Sequence, residues 1–293
     1  DIYHPEVKVF EVTDTDSSHL ALFYTDYFPR ATKRAGAWMN NIVEATNVAG
    51  ENQRPMIVNV CNFTRPAGKT PSLLNIDETR TLFHEFGHAL HGMLTMAKYP
   101  SVNGTNVARD FVELPSQIME HWAIEPEVLK MYAHHYETGD TIPDELIAKM
   151  QAAGSFNSGF ETVELVAAAL LDMEFHMVED YSNFDAAAFE KSVAEKIGLI
   201  PQITFRYRGP FFNHVFSGGY AVGYYSYLWA EVLDADGYEA FKEKGVFDQE
   251  TGMSFRKNIL EMGGSEEPME LYRRFRGAEP NPQALLKNRG LID

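Results

Sequence analysis

The chain has 293 residues, of which 45% are hydrophobic, so it can bury a substantial core and is not intrinsically disordered. Its formal net charge of −17 argues against nucleic acid or an anionic membrane as a partner and favours neutral or cationic peptides as ligands. The longest apolar stretch, residues 163–175, is interrupted by three carboxylates, which excludes a membrane-spanning helix there.

The single cysteine, Cys61, cannot form an intramolecular disulfide and is expected to be a small core residue. One cysteine is compatible with the cytoplasm, which we favour, and leaves the periplasm open. No signal peptide precedes the first predicted strand, but the sequence also starts at Asp1 without a methionine. The absence of a signal peptide in this sequence therefore does not distinguish the cytoplasm from the periplasm.

The first sixty residues form the only predicted β region. Residues 7–12 alternate between polar and apolar side chains, residues 14–18 are a cluster of turn residues, and residues 20–24 continue as a partner strand. Residues 56–60 are predicted as a third strand. Between these strands, residues 35–45 are predicted to form a short helix.

From residue 77 onward the chain is predicted to be helical nearly to its end. After the first helix, helical spacing or a proline or glycine boundary marks five segments: 126–136, 143–153, 161–181, 186–197 and 252–262. We therefore predict a mainly α protein with a small β-sheet near the N-terminus. Residues 1–293 are expected to form one domain, with a β region at 1–60 and a helical region at 77–293.

The most informative segment is residues 81–94, TLFHEFGHALHGML, which combines an H-E-x-x-H run with helical apolar spacing. His84 and His88 lie four residues apart on one helix face, so both can aim a ring nitrogen at one tetrahedral zinc ion. Glu85 lies about 100° round the helix and is expected to act on a water at the metal. Zinc lowers the pKa of such a water from about 15.7 towards 7.

The alternative interpretation of this segment is an ordinary exposed helix face. Its apolar residues indicate a buried helix, in which two histidines and a glutamate would be costly to leave unpaired. They are Phe83, Phe86, Leu90 and Leu94. The context therefore favours the zinc site.

Two imidazoles leave zinc short of a ligand, and two residues are candidates for the third position. His91 follows His88 on the same face but lies about one turn from the point between the two ligands, so it is interpreted as a supporting or packing residue. Glu113 lies among apolar residues, where a carboxylate is expected to have a cation partner, and is the stronger candidate. The intervening residues 101–106 are interpreted as a connector, with a substrate contact as the alternative.

The segment 212–227, FNHVFSGGYAVGYYSY, carries one histidine and four tyrosines around a pair of glycines. If it is helical after the glycines, Tyr220, Tyr224 and Tyr227 share one face while Tyr225 points elsewhere. Such an aromatic stripe often belongs to a core. A functional role is the alternative, because a neutral phenol can donate a hydrogen bond to an oxyanion without carrying charge.

The run FHEFGHALH, followed by SVNGTNVARDFVELPSQ, resembles the thimet oligopeptidase and peptidyl-dipeptidase family of zinc metallopeptidases. The similarity extends from YHPEVKVFEV to ELYRRFRGAEP. It implies a zincin-type, neurolysin-like catalytic domain that binds one zinc ion per chain through His84, His88 and Glu113. It also implies that Glu85 is the general base.

Members of that family carry an H-x₃-G-G-Y-x₃-Y-x₂-Y run opposite the zinc. The resemblance therefore implies catalytic roles for His214, Tyr220 and Tyr227, and substrate contacts for these three residues and Tyr224. The two glycines before Tyr220 would let this loop bend towards a bound peptide.

The implied activity is hydrolysis of short peptides, with release of C-terminal dipeptides. An endo-acting oligopeptidase on the same scaffold is the alternative. Release of dipeptides requires a cation or a cluster of donors that holds the free carboxylate of the peptide. Arg206 and Arg208 are the nearest candidates in sequence, and both also fit a structural role.

The same resemblance bears on partners. Short peptides are the expected substrates, and the edge of the N-terminal sheet could pair with a peptide strand or simply close the core. Family members have a large helical N-terminal part that is absent from this chain, so a missing half or a second chain is an expected partner. A catalytically silent, zinc-containing peptide-binding fragment is the alternative from another class.

Overall fold

The computed structural model describes residues 2–50 and 52–292 and begins with a four-stranded sheet. Its strands are β1 (Lys8–Thr13), β2 (His19–Asp26), β3 (Trp38–Val43) and β4 (Met56–Val60), in the spatial order β1-β2-β4-β3. β1 and β2 form an antiparallel hairpin, β4 is parallel to β2, and β3 is antiparallel to β4. The mainly helical fold with a small N-terminal sheet is confirmed.

The prediction of a helix at residues 35–45 is wrong, because this segment contains strand β3. Trp38 lies opposite Val60, and Asn41 lies opposite Ile57. A short isolated helix is only marginally stable in water, whereas pairing with β4 adds this segment to the edge of the sheet. The partner strand lies outside residues 35–45, so spacing within this segment did not reveal it.

Most of the regular structure in the remaining described chain is helical. The helices are α1 (Ile76–Leu94), α2 (Leu114–Ile124), α3 (Pro126–Tyr132), α4 (Asp144–Ala153), α5 (Ser158–His176), α6 (Ala186–Lys196), α7 (Asn213–Phe216), α8 (Ser226–Lys244), α9 (Gln249–Phe255), α10 (Pro268–Arg276) and α11 (Gln283–Asn288). A π-helical segment, Arg256–Leu260, continues α9. Four of the five predicted helices after the first overlap α3, α4, α5 and α6, although their ends differ. The fifth, 252–262, covers the end of α9 and the π-helical segment.

Helix α1 lies between the sheet and α2. Ala89 and Met93 pack against three buried residues of the sheet: Ala21, Phe23 and Ile57. On its other side, Gly87 touches the start of α2, where an added Cβ would lie 2.1 Å from the carbonyl oxygen of Pro115. Only glycine permits this close approach. The first turn of α2 is thereby brought against the histidine-bearing face of α1.

Two further apolar clusters hold the C-terminal half. One joins α2, α8 and α10 through Phe111, Leu114, Ile118, Leu233, Tyr272 and Phe275. The other joins α5 to the segment before α8 through Leu165, Ala168, Phe212, Val215 and Tyr224. The second cluster places the tyrosine segment on α5.

The helix considered for the residues directly after Gly219 is not formed. Residues 221–225 form turns, and α8 begins only at Ser226. Gly219 has φ +83° and Val222 has φ +54°, both in the left-handed region that cannot continue a right-handed helix. The positions of the tyrosines therefore have to be taken from the tertiary structure.

Candidate active site

The H-E-x-x-H segment lies in a helix with a well-defined start. The Asn75 side chain accepts a hydrogen bond from the backbone N–H of Glu78 at 2.8 Å, and the Glu78 carboxylate accepts one from the N–H of Asn75 at 3.1 Å. This capping box begins α1 and satisfies two of its free N–H groups. Two turns later the helix presents His84 and His88 on one face, as their spacing predicts.

Glu113, the residue directly before α2, brings a carboxylate to the two histidines. Its Oε2 lies 3.4 Å from Nε2 of His84 and 3.2 Å from Nε2 of His88. Ligand atoms bound tetrahedrally to zinc at about 2.0–2.1 Å are about 3.3 Å apart by simple geometry. Among the described residues, these three form the one cluster of His, Cys, Asp or Glu side chains that could hold a metal ion. The distances between their ligand atoms fit zinc.

Neighbouring side chains hold the three groups in place. Glu120 Oε1 lies 2.7 Å from Nδ1 of His84, on the ring side away from Glu113. Ser116 donates a hydrogen bond to Oε2 of Glu113 at 2.9 Å, and Tyr220 donates one to Oε1 at 2.5 Å. Partners of this kind orient metal ligands and fix the histidine tautomer.

Opposite charges stabilise each other in this cluster. Burial favours a neutral Glu113, but His88 and His84 outweigh it and hold the pKa of this carboxyl well below its usual range. Burial also disfavours a charged His84, yet Glu113 and Glu120 raise its pKa well above the usual value. A buried carboxylate beside two imidazoles thus supplies the negative charge that a divalent cation requires.

Glu85 is 5% exposed and lies beside the cluster on α1. Burial raises the pKa of its carboxyl, although His84 and His88 oppose the shift. Its Oε2 has no hydrogen-bond partner within residues 2–50 and 52–292. A buried oxygen left without a partner is available to a water or a substrate group at this position.

His91 is fully buried, and neither of its ring nitrogens has a hydrogen-bond partner in the described part of the chain. Burial lowers its pKa to about 3, so the ring is neutral. It does not belong to the group that could hold a metal ion. This environment supports the interpretation of His91 as a packing residue.

The three tyrosines of the predicted stripe come together although their segment is not helical. The rings of Tyr220 and Tyr227 are stacked with centroids 5.2 Å apart, and Tyr224 lies 5.2 Å from Tyr227. His214 lies 5.7 Å from Tyr224 in the same cluster. Tyr225 points away, and its hydroxyl donates a hydrogen bond to Asp110 at 2.9 Å.

The hydroxyls of this cluster are neutral donors at physiological pH. Burial raises the pKa of Tyr220 above its ordinary value, and the Glu113 carboxylate raises it further. The same two causes, in the same order, raise the pKa of Tyr227. A neutral phenol keeps its O–H hydrogen and can donate a hydrogen bond to an oxygen that carries negative charge.

Sequence reasoning missed two residues of this site. Glu120 lies seven residues after Glu113, two turns along the same face of α2, and this spacing was a usable signal. Arg109 has its guanidinium carbon 4.6 Å above the ring of Tyr220, a contact that no local pattern indicates. The segment 101–106 contains a buried Asn103 that donates a hydrogen bond to the carbonyl of Ala45, which supports its role as a connector.

Glu231, on α8, is expected to make the stability of the fold depend on pH. Burial raises the pKa of Glu231 to about 7 from 4.5, although its partner Arg289 opposes the shift. The pKa of Glu231 is higher in the folded state than in the unfolded state, so the folded protein holds this proton more tightly. The free energy of unfolding therefore falls as the pH rises from about 4.5 to 7 and Glu231 ionises. We expect Glu231→Gln to remove this dependence.

The measurement is urea unfolding of parent and variant across that pH range. The parent should lose on the order of 2 kcal/mol relative to the variant, less than the full shift because 26% of the side chain is exposed. A difference between the two proteins that stays constant from pH 4.5 to 8 would contradict the assignment.

A helical fold in which an H-E-x-x-H helix meets a carboxylate at the start of a second helix defines a metallopeptidase-type site. The chain belongs to peptidase family M3, whose model matches residues 1–291. The resemblance inferred from the motifs is thereby confirmed. No described helix is long and apolar enough to cross a membrane.

Curated relatives match the chain over nearly its whole length. It is 48% identical to dipeptidyl carboxypeptidase of Escherichia coli (strain K12), covering 99% of this chain and 43% of that protein. It is 44% identical to oligopeptidase A of Salmonella typhimurium, again over 99% of this chain and 43% of that protein. The chain thus spans less than half the length of these relatives.

Among solved structures, the chain is similar to PZ peptidase A with inhibitor 2. The TM-score is 0.57 at 18% identity, over 91% of this chain and 42% of that one. At this identity the likeness shows a shared fold.

Proposed function

We propose that the protein is a zinc metallopeptidase that hydrolyses oligopeptides. The observation that carries this proposal is the convergence of His84, His88 and Glu113 at the spacing of tetrahedral zinc ligands. Membership of peptidase family M3 supports the reaction class. One zinc ion per chain would be held by these three residues, with a fourth position open.

When bound, zinc would lower the pKa of a water and polarise the scissile carbonyl. Glu85 would accept the proton of that water and pass it to the leaving amine, a role supported by its burial and by its unpartnered Oε2. Glu120 would hold the ring of His84 through Nδ1 and so keep Nε2 directed at the metal.

The tyrosine cluster would act on the other side of the peptide. Tyr227 would donate a hydrogen bond to the oxygen that becomes negative during attack, and Tyr220 would do so once its hydroxyl turns from Glu113, to which it donates in this structure. The raised pKa values of both phenols support these roles. His214 and Tyr224 would contact the substrate. The ring contacts within this cluster keep the four side chains together.

Metal binding tests the site directly. We expect the parent to retain one zinc ion per chain after dialysis and Glu113→Ala to retain much less, because two imidazoles alone leave the coordination shell incomplete. The measurement is zinc content by elemental analysis. Glu261→Ala, which removes a carboxylate that pairs with Arg256, is the matched control.

Undiminished zinc in Glu113→Ala would reject Glu113 as a ligand and bring His91 back into consideration. Zinc binding without cleavage of any peptide by the full-length protein would favour a silent peptide-binding module. Analysis of the products from one defined peptide distinguishes a silent binding module, which gives none, from a dipeptide-releasing or an endo-acting peptidase.

We further propose that the enzyme releases C-terminal dipeptides and that Arg206 holds the free carboxylate. Arg208 is bound to Glu190 at 2.5 Å, and the same carboxylate accepts the N–H of Gly209, so Arg208 has a structural role. Among the described residues, the carboxylate paired with Arg206 is that of Glu164 at 3.8 Å, too far for a hydrogen bond, so most of the Arg206 donors remain available to an anion.

The position of Arg206 supports this role. Its guanidinium carbon lies 5.9 Å from the ring of Tyr207, which in turn lies 5.2 Å from His214. Arg206 also lies close enough to lower the pKa of His214, after the larger effect of burial. A peptide end near the tyrosine cluster would therefore meet this cation.

We expect Arg206→Gln to raise KM for a peptide with a free C-terminus by about 10-fold or more and to leave its C-terminal amide unaffected, since a charge-assisted contact is lost only in the former. Arg208→Gln is the control. Equal cleavage of acid and amide at internal bonds by the parent would favour an endo-acting oligopeptidase, the activity named for the 44% identical relative.

A further inference from the structure

Asp172, on α5, is a fully buried carboxylate that the reaction proposed above does not use. Its Oδ1 accepts the backbone N–H of Val222 at 3.1 Å, and its Oδ2 accepts that of Tyr224 at 3.0 Å. Nδ1 of His176, one turn further along α5, lies 3.0 Å from Oδ1. A buried carboxylate with three such partners holds a single orientation and holds its partners in return.

The backbone that Asp172 binds is strained. Val222 has φ +54°, a conformation that a β-branched residue rarely adopts. Its side chain is 47% exposed, so packing does not account for this conformation. The bond from its N–H to Asp172 does, together with the local bond from Gly223 N–H to the carbonyl of Tyr220 at 2.8 Å.

This turn determines where the tyrosines lie. Tyr220, two residues before Val222, donates its hydroxyl to Glu113 at 2.5 Å. Tyr220 and Tyr224 both contact the ring of Tyr227. Without the Asp172 carboxylate, the turn would relax to a right-handed conformation and carry Tyr220 away from Glu113.

We propose that Asp172 is a positioning residue for peptide hydrolysis: from α5 its carboxylate clamps the 220–224 turn and so holds Tyr220 and Tyr227 at the metal site. This rests on the proposed peptidase function. The clamp acts on the backbone, since Asp172 itself reaches the site only through the N–H groups of Val222 and Tyr224.

The first test is Asp172→Asn in the zinc-loaded, full-length protein. An amide offers one acceptor oxygen and turns an NH₂ group towards the second N–H, so one of the two bonds is lost. We expect kcat to fall about 10- to 100-fold, as for displaced catalytic groups, with KM within about threefold and zinc content unchanged. Hydrogen exchange at the Val222 and Tyr224 amides should become about 10-fold faster or more.

Glu174→Gln is the matched control, because it removes a carboxylate from the same helix whose described partner is Lys196. It should leave kcat and exchange in the turn at parental values. A general loss of helix stability would affect both variants, whereas loss of the clamp affects only Asp172→Asn.

Two changes at Val222 complete the test. Val222→Asn in the Asp172→Asn background should recover at least about fivefold of the lost kcat, because asparagine tolerates the left-handed conformation. Val222→Pro alone should reproduce the loss, since proline removes the N–H and imposes φ near −65°. Its exposed position keeps it informative if Asp172→Asn does not fold.

The proposal would be overturned if Asp172→Asn kept the parental kcat and the slow exchange of the turn amides. It would also be overturned if Val222→Pro left kcat unchanged, or if the double variant recovered none of the lost kcat. Failure of the parent to cleave peptides would instead reject the proposed function. In that case the exchange measurement still decides whether Asp172 clamps the turn.

Discussion

Glu85→Gln is expected to lower kcat for peptide hydrolysis by about 10²- to 10⁴-fold while zinc content and fold are kept. Glutamine has nearly the shape of glutamate, but its amide cannot take a proton from water. The side chain is 5% exposed, so solvent cannot readily replace the missing base. Since burial already raises the pKa of this carboxyl, the neutral amide should not lower the melting temperature.

The measurement is kcat on a defined peptide with the zinc-loaded, full-length protein, alongside zinc content and thermal unfolding. Glu145→Gln is the control, because it makes the same chemical change at an exposed carboxylate that pairs with Lys149. Activity of Glu85→Gln within a few-fold of the parent, with zinc retained, would move the general base to another residue.

Tyr227→Phe is expected to lower kcat by about 10²- to 10³-fold with a smaller change in KM, the result expected when a donor to the developing oxyanion is removed. The raised pKa of Tyr227 keeps its hydroxyl protonated and able to donate. The ring remains in contact with Tyr220 and Tyr224, so the cluster should keep its packing.

Tyr225→Phe is a matched control two residues away. Its hydroxyl binds Asp110 outside the cluster, so this variant should stay within about twofold of the parent in kcat. An effect of Tyr227→Phe on KM alone would assign the hydroxyl to substrate binding, and equal effects of the two variants would remove it from the reaction.

The metal-binding helix was predictable because its information is local. Residues four apart share a helix face whatever surrounds the helix, so the pairing of His84 and His88 follows from spacing alone. The capping box that begins α1 is equally local. Strands β1, β2 and β4 were predictable for the same reason, since alternation and turn residues mark each of them within a short window.

Strand β3 and the tyrosine segment show where local patterns fail. Residues 38–43 form a strand because they pair with the edge of β4. Residues 220–225 do not form a helix because Val222 has a left-handed backbone conformation. In both cases the deciding partner lies outside the segment itself: β4 for the first, and Asp172 for the second. Propensity is outweighed when such a partner satisfies backbone groups.

The sequence by itself determined the chemical groups of the candidate site and their family. Tertiary structure alone decided which of them meet. Glu113 reaches the histidines because Gly87 lets α2 approach α1, and Tyr220 reaches Glu113 across more than a hundred residues of chain. Arg206 and Arg208 are indistinguishable in sequence, and only the position of Glu190 separates them. Each of these outcomes depends on distances between segments, which spacing along the chain does not encode.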